Sequence, residues 1–353
     1  MTESLVRGTS TVSAPRRGLV LGGGGILGGA WTVGALIALR DVRGIDPRDF
    51  DIIVGTSAGS VLAALLAAGV SVDELHDHQL GSRVTSGPLS GLEFDYEKAT
   101  GAHRRPPVPR LTGPGSARLI GQGLLGRLSA TAMLSGFLPA GTASLERVGH
   151  LIDAVTPMGH WSDHPNLWIV AMDYHSGART VFGREDSPVA PLADVVMASC
   201  AIPGWFQPVT IGDRTYVDGG AVSATSVDLL AGTGLDEVIV LAPMVSEEFD
   251  HPQGLWIHVE RRWRIEVTRR CLAEVEQVRA SGIPVTVLGP GAQDLEAIGA
   301  NLMDAPRRRG VIETAIRTTG SRLRDAGVPA DTSHVIPPAN SAVDVGVDVA
   351  DAG

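Results

Sequence analysis

Aromatic side chains make up only 4% of this 353-residue chain, and it holds two cysteines, a single lysine and no excess of positive charge. Cys200 and Cys271 are too few for a disulfide framework and lack metal-ligand spacing, which fits a reducing compartment. Lys98 would have to serve any P-loop or Ser-Lys catalytic pair, and its surroundings match neither. Twenty-nine basic against thirty-nine acidic residues give a net charge of −10, which argues against nucleic acid as a partner. Long apolar runs are missing too. The run Val61 to Val70 is far short of the ~20 residues of a membrane-spanning helix. The stretch Met1 to Pro15 is polar and has no apolar segment followed by a cleavage site, so it does not read as a secretory signal. The expected location is the cytoplasm. What is present is a 44% hydrophobic, 19% charged composition that can bury a large core. At this length one large α/β domain is the starting expectation.

Short apolar strands alternate with helical segments along the chain. Strands are expected at Arg17–Leu21, Asp51–Val54, Leu167–Met172, Thr215–Val217, Glu237–Ala242 and Pro284–Leu288. Helices are expected at Trp31–Arg40, Ala58–Ala68, Ala143–Val155, Leu192–Ser199 and from about Trp256 to Ala280. This alternation argues for a parallel sheet covered on both faces. The organisation is a flexible start (1–16), one α/β domain (17–327) and a poorly packed tail (328–353). Within the domain, 101–140 stands out. It carries Arg104, Arg105, Arg110, Arg118 and Arg127 without an acidic residue, then an apolar run from Leu119 to Leu138. A helical insertion packed on the core explains this, and so does a lid whose arginines meet anionic lipid, giving peripheral membrane contact.

Gly55-Thr56-Ser57-Ala58-Gly59 matches G-x-S-x-G between an expected strand and an expected helix. Small neighbours permit the sharp turn that lifts a serine hydroxyl above the sheet at a helix amino terminus, where negative charge is favoured. Upstream, Gly22-Gly23-Gly24-Gly25 has two readings. Gly23-x-Gly25-x-x-Gly28 satisfies the dinucleotide fingerprint, but the required acid should end the second strand, and Asp51 begins it. The other reading is an oxyanion hole of glycine amides, each typically worth about 10²–10³ in turnover. Histidines offer a base for an ordinary hydrolase triad, yet His251, His258 and His334 lack a loop signature, and His76 and His78 flank Asp77 in a polar segment. Asp218, in Val217-Asp218-Gly219-Gly220 at the end of a strand, is placed to accept the serine proton directly.

Together these residues resemble the patatin-like phospholipase family, in its bacterial members. Leu21 to Gly28 looks like its oxyanion loop, Gly55 to Gly59 its nucleophile elbow, and Asp218-Gly219-Gly220 its Asp-Gly-Gly motif. The segment Ala198-Ser199-Cys200-Ala201-Ile202-Pro203-Gly204-Trp205-Phe206-Gln207-Pro208 resembles a further conserved block of that family. The resemblance implies a three-layer α/β/α sandwich with a mainly parallel central sheet. It implies a Ser57–Asp218 dyad, an oxyanion hole at Gly23, Gly24 and Gly25, no cofactor or metal, and a lipid acyl ester as substrate. The chain departs from the pattern at Leu27, where the family usually has Arg or Lys. It departs again at Ser223 to Ser226, near positions where Asn and Pro are frequent. The alternatives are a histidine-dependent α/β-hydrolase and a non-catalytic nucleotide- or lipid-binding protein.

Overall fold

The computed structural model describes residues 14–96, 115–124, 130–246 and 255–327. Among these, eight strands form one sheet: β1 (Arg17–Leu21), β2 (Ile52–Thr56), β3 (Leu167–Asp173), β4 (Arg179–Phe182), β5 (Val209–Ile211), β6 (Arg214–Asp218), β7 (Glu237–Leu241) and β8 (Val285–Leu288). The order is β5-β6-β3-β2-β1-β7-β8, with β4 also paired to β3. The run from β8 to β3 is parallel, whereas β4 and β6 run antiparallel to β3.

Ten helices accompany the sheet in the described residues: α1 (Gly25–Arg43), α2 (Ala58–Ala67), α3 (Val72–Leu80), α4 (Ala117–Leu124), α5 (Ala130–Phe137), α6 (Glu146–Val155), α7 (Leu192–Cys200), α8 (Leu255–Ala280), α9 (Ala292–Ile298) and α10 (Arg308–Gly327). Alternate strand residues feed two cores. Leu19, Leu21, Ile53, Ile169, Ile239 and Leu241 pack with α1, α2, α7 and α10 on one face. Val20, Val54, Val170, Val238 and Val240 meet Cys271, Val275 and Val278 of α8 on the other. Both faces of the central strands are therefore dry, which explains their unbroken apolar runs. The result is a three-layer α/β/α sandwich with a mostly parallel sheet.

The expected strands lie within a residue or two of those found, but α1 starts six residues before Trp31, at the glycine loop itself. Glycine propensity disfavours that start, and tertiary packing overrides it. Helix α1 is long and apolar enough to cross a membrane by length and composition, but 72% of it is buried inside the protein. It is apolar all round because it lies between the sheet and α10. A methyl on Gly34 would come within 2.7 Å of Ala315, so these two helices cross closely.

The 101–140 segment is described only at 115–124 and 130–140. There Leu119 and Ala132 are buried against Met172, Tyr174 and Val217, while Phe137 and Leu138 remain exposed at 49% and 40%. Arg104, Arg105, Arg110 and Arg127, and the tail 328–353, lie outside the described residues. Arg16, placed by the sequence in the flexible start, is tied down: its amide donates to the Asp236 carboxylate at 2.7 Å.

Candidate active site

Parallel pairing of β1 with β2, Leu21 opposite Gly55, brings the glycine loop and the G-x-S-x-G turn to the same end of the sheet. Ser57 sits between β2 and α2 with φ 53° and ψ −127°, a positive φ shared among described non-glycine residues only with Ser226. Such a backbone costs of order 1–3 kcal/mol and persists where its surroundings hold it. Here the Ser57 N–H donates to Ser199 Oγ (2.9 Å), whose own hydroxyl donates to Val170 O at 2.7 Å. The Ser57 carbonyl accepts from Ser60 Oγ at 2.6 Å. Gly59 is required by contact: a Cβ there would stand 2.0 Å from Leu21 O, so only glycine lets α2 pass over the end of β1.

Strand β6 is short and reaches the same rim from the opposite direction. It pairs only with the last three residues of β3, Asp218 opposite Ala171. Its final residue therefore arrives beside Ser57, although an antiparallel strand in full register would carry its end to the far edge. The Ser57 Oγ–H donates to Asp218 Oδ2 at 2.7 Å, and Gly220 N–H donates to Asp218 Oδ1 at 2.7 Å. Asp218 is buried, and burial pushes its carboxyl up to about 6, against the opposing pull of the bonds from Ser57 and Gly220. At neutral pH it is mainly ionised and accepts the hydrogen bond of the Ser57 hydroxyl. Cys200, nearby, has its thiol pushed up to about 12 by burial and by the charge of Asp218, so it stays a neutral wall residue.

The glycine loop lies directly against the serine: a Cβ on Gly23 would be 3.1 Å from Ser57 Cβ. Of the amides assigned to an oxyanion hole, that of Gly23 is spent, because it donates to Ala224 O at 2.9 Å. This corrects the inclusion of Gly23 among the donors. Its role is to anchor the loop. The N–H groups of Gly24 and Gly25 have no partner among the described residues, and they stand at the start of α1. Gly25 has φ +62°, and Leu302 and Met303 pack over it within 3.2 Å of where a Cβ would stand. A side chain at this turn would collide with them, so the position requires glycine.

From Ser57 a pocket runs along α2, lined by Ala58, Val61, Leu62 and Leu65 on one side and by Leu75, Val148 and Phe206 on others. Ser57 to Leu65 is about 12 Å of helix. The lining is overwhelmingly apolar, suited to a hydrocarbon chain.

A family model described as patatin-like phospholipase matches residues 19–231, more than half of the chain and the part that holds Ser57 and Asp218. The chain belongs to the patatin-like phospholipase family. Among solved structures it is similar to VipD from Legionella pneumophila, with 16% identity and a TM-score of 0.43 over 89% of this chain and 67% of that one. It is also similar to the type III effector protein ExoU, with 17% identity and a TM-score of 0.34 over 88% of this chain and 53% of that one. A third match is the heterodimeric ExoU–SpcU complex from the type III secretion system of Pseudomonas aeruginosa (18% identity, TM-score 0.29, 89% and 59% covered). The chain thus spans between about half and two thirds of the length of these structures.

Leu27, where patatin-like sequences usually carry a cation, is fully buried, and its N–H donates to Leu302 O at 2.9 Å. A charge could not be housed there without a partner. No histidine among the described residues bonds to Ser57. His78 lies on α3, bonded to Tyr96 at 2.8 Å, with its imidazole pushed down to about 4 by burial and by Arg308. His76 is next to Asp77 and His258 is exposed on α8; His251 and His334 lie outside the described residues. Sequence reasoning gave no role to Ser199, although a serine ending an apolar helix before Pro203 was a usable cue. It also left the pocket-lining α3 without a start, despite the capping box of Ser71 and Glu74 that the structure forms.

Proposed function

We propose that this protein is a serine-dependent lipid acyl hydrolase of phospholipase A or esterase type, with Ser57 as nucleophile and Asp218 as base. The observation that carries the reading is the 2.7 Å bond from the Ser57 hydroxyl to a buried carboxylate. It lies at an apolar pocket long enough to take an acyl chain. Membership of a family described as phospholipases supports the substrate class.

Ser57 Oγ attacks the ester carbonyl carbon while its proton passes to Asp218 Oδ2. The carbonyl oxygen takes the negative charge and is received by the Gly24 and Gly25 amides, reinforced by the positive ends of α1 and α2. Collapse expels the alcohol, which takes the proton from Asp218, and the acyl group stays on Ser57. Water then gives a proton to Asp218 and attacks the acyl-enzyme, releasing the fatty acid and restoring the serine. Phe137 and Leu138, exposed within the 101–140 segment, are suited to touch a lipid surface as the substrate enters.

The reading fixes a pH dependence. Because burial holds the free Asp218 carboxyl at about 6, kcat/KM for a p-nitrophenyl acyl ester should fall about tenfold per pH unit below that value and level off above it. A profile flat down to pH 4 would remove Asp218 from the role of base. The pocket fixes a second result. Leu65→Trp fills the part of the pocket two helical turns beyond the serine, so kcat/KM for long acyl esters should drop about 10–200-fold while acetyl esters are turned over as before. Equal loss across a chain-length series would mean that acyl chains bind elsewhere.

A further inference from the structure

We propose that Glu274, on the opposite face of the sheet from the pocket, is a positioning residue that holds the glycine loop in place. The proposal rests on the reading of Gly24 and Gly25 as oxyanion donors, and it goes beyond that reading by assigning what fixes them.

Glu274 lies on α8 and is 5% exposed. Its Oε2 accepts the hydroxyls of Ser223 (2.9 Å) and Thr225 (3.0 Å), and its Oε1 accepts Arg270 Nε–H at 3.2 Å. Ser223 Oγ, its proton given to Glu274, accepts the N–H groups of Thr225 (3.3 Å) and Ser226 (2.9 Å). These bonds close a tight turn whose last residue, Ser226, has φ 54°. Left-handed backbone at a non-glycine residue costs about 1–2 kcal/mol and has to be held. Between the two clamped hydroxyl residues stands Ala224, and its carbonyl accepts the Gly23 N–H at 2.9 Å. The same oxygen would lie 3.2 Å from a Cβ on Gly22. The connection therefore runs from Glu274 to Ser223 and Thr225, through the Ala224 carbonyl to Gly23, and from Gly23 to Ser57 and the two neighbouring amides.

The two non-glycine residues with positive φ in the described chain, Ser57 and Ser226, sit at the two ends of this connection. The turn is also where the chain departs from its family, with hydroxyl residues in the region where Asn and Pro are frequent. Proline sets its own backbone angle, whereas serine and threonine need an acceptor to orient them, and a buried carboxylate accepts from both. Well-packed apolar residues often replace such a buried ionic group at no cost in stability, so the carboxylate is better explained by the geometry it imposes.

The test compares Glu274→Ala, Glu274→Gln and Thr225→Val in the full chain, with kcat, KM and the rate of fluorophosphonate inactivation expressed per folded molecule from thermal melts. Glu274→Ala should lower kcat and the inactivation rate about 10–100-fold with KM within about twofold, since the loop loses its aim without losing the pocket. Glu274→Gln keeps an acceptor oxygen and should recover most of this loss. Adding Thr225→Val to Glu274→Ala should cost nothing further, because both remove one clamp. A lower melting temperature with unchanged kcat in the folded fraction would make Glu274 a stability residue only and overturn the proposal. If Glu274→Ala does not fold, the nearly isosteric Thr225→Val decides: unchanged kcat overturns the proposal, and a severalfold fall with constant KM supports it. Failure of the underlying serine-hydrolase reading, to which those donors belong, looks different, because Ser57→Ala would then keep turning over ester whatever the Glu274 variants do.

Discussion

Ser57→Ala should reduce ester turnover by roughly 10⁴–10⁶-fold and leave a folded protein. Loss of the hydroxyl removes the attacking atom, and no neighbour can stand in for it. Cys200, the nearest thiol to the carboxylate, is held neutral by its pKa of about 12. Ser60 Oγ is committed to the Ser57 carbonyl at 2.6 Å, and Ser199 Oγ to Val170 O at 2.7 Å. The substitution keeps the backbone bonds at this turn, so the melting temperature should stay within a few degrees. Because the serine hydroxyl also pulls the Asp218 carboxyl down, its removal should raise that pKa further above about 6. Titration of Asp218 by carbon-detected NMR reads this directly. Residual turnover near that of the parent would require a different nucleophile.

Asp218→Asn should cost as much activity and gain stability. An amide cannot take the serine proton, so turnover should fall by about 10⁴-fold. Combining the change with Ser57→Ala should add little, because the two act as one unit. The stability effect follows from the sign of the pKa shift. Burial raises the native carboxyl from 3.8 to about 6, so the folded state holds its proton more tightly than the unfolded chain does. Stability from this group is complete below pH 4 and is lost as pH rises through about 6, where an ionised carboxylate sits buried. Asparagine avoids that cost and still accepts the Gly220 N–H. The variant should therefore unfold at higher temperature by an amount worth about 1–3 kcal/mol at pH 8, and match the parent at pH 4. Thermal melts at the two pH values check this. A destabilised asparagine variant at pH 8 would mean the site is not under the tension described. Replacing His78 or His258 should leave turnover within a fewfold of the parent, whereas a histidine-dependent hydrolase would lose it and tolerate Asp218→Asn.

The central strands were legible because both of their faces are buried, whereas β4 and β5, mostly only half-buried, were not expected. Strands such as Leu167–Met172 are continuous apolar runs that no local alternative explains. Ser57 was legible because the strand, the small-residue turn and the helix agree locally. What the sequence could not display was anything set by register. Asp218 was assigned to a strand end, but its meeting with Ser57 depends on β6 being antiparallel and offset to the last residues of β3. Gly23 was grouped with the oxyanion donors because an amide's partner, here a carbonyl some two hundred residues away, leaves no trace in composition. A separation of 51 residues from Ser223 likewise hid the Glu274 clamp, inside a helix whose charges look solvated. Helix α10 was read only as a solvated start at Arg307 to Arg309, while Val311, Ile312 and Ala315 make the apolar stripe against α1.

Covalent trapping addresses the dyad most directly. The chain is incubated with a fluorophosphonate at pH 5 and pH 8, digested, and the adduct located by peptide mass mapping. The expected result is one adduct, on the peptide containing Ser57, formed faster at pH 8 than at pH 5 and absent from Ser57→Ala. An adduct on another residue, or equal labelling of the Ser57→Ala protein, would contradict the assignment.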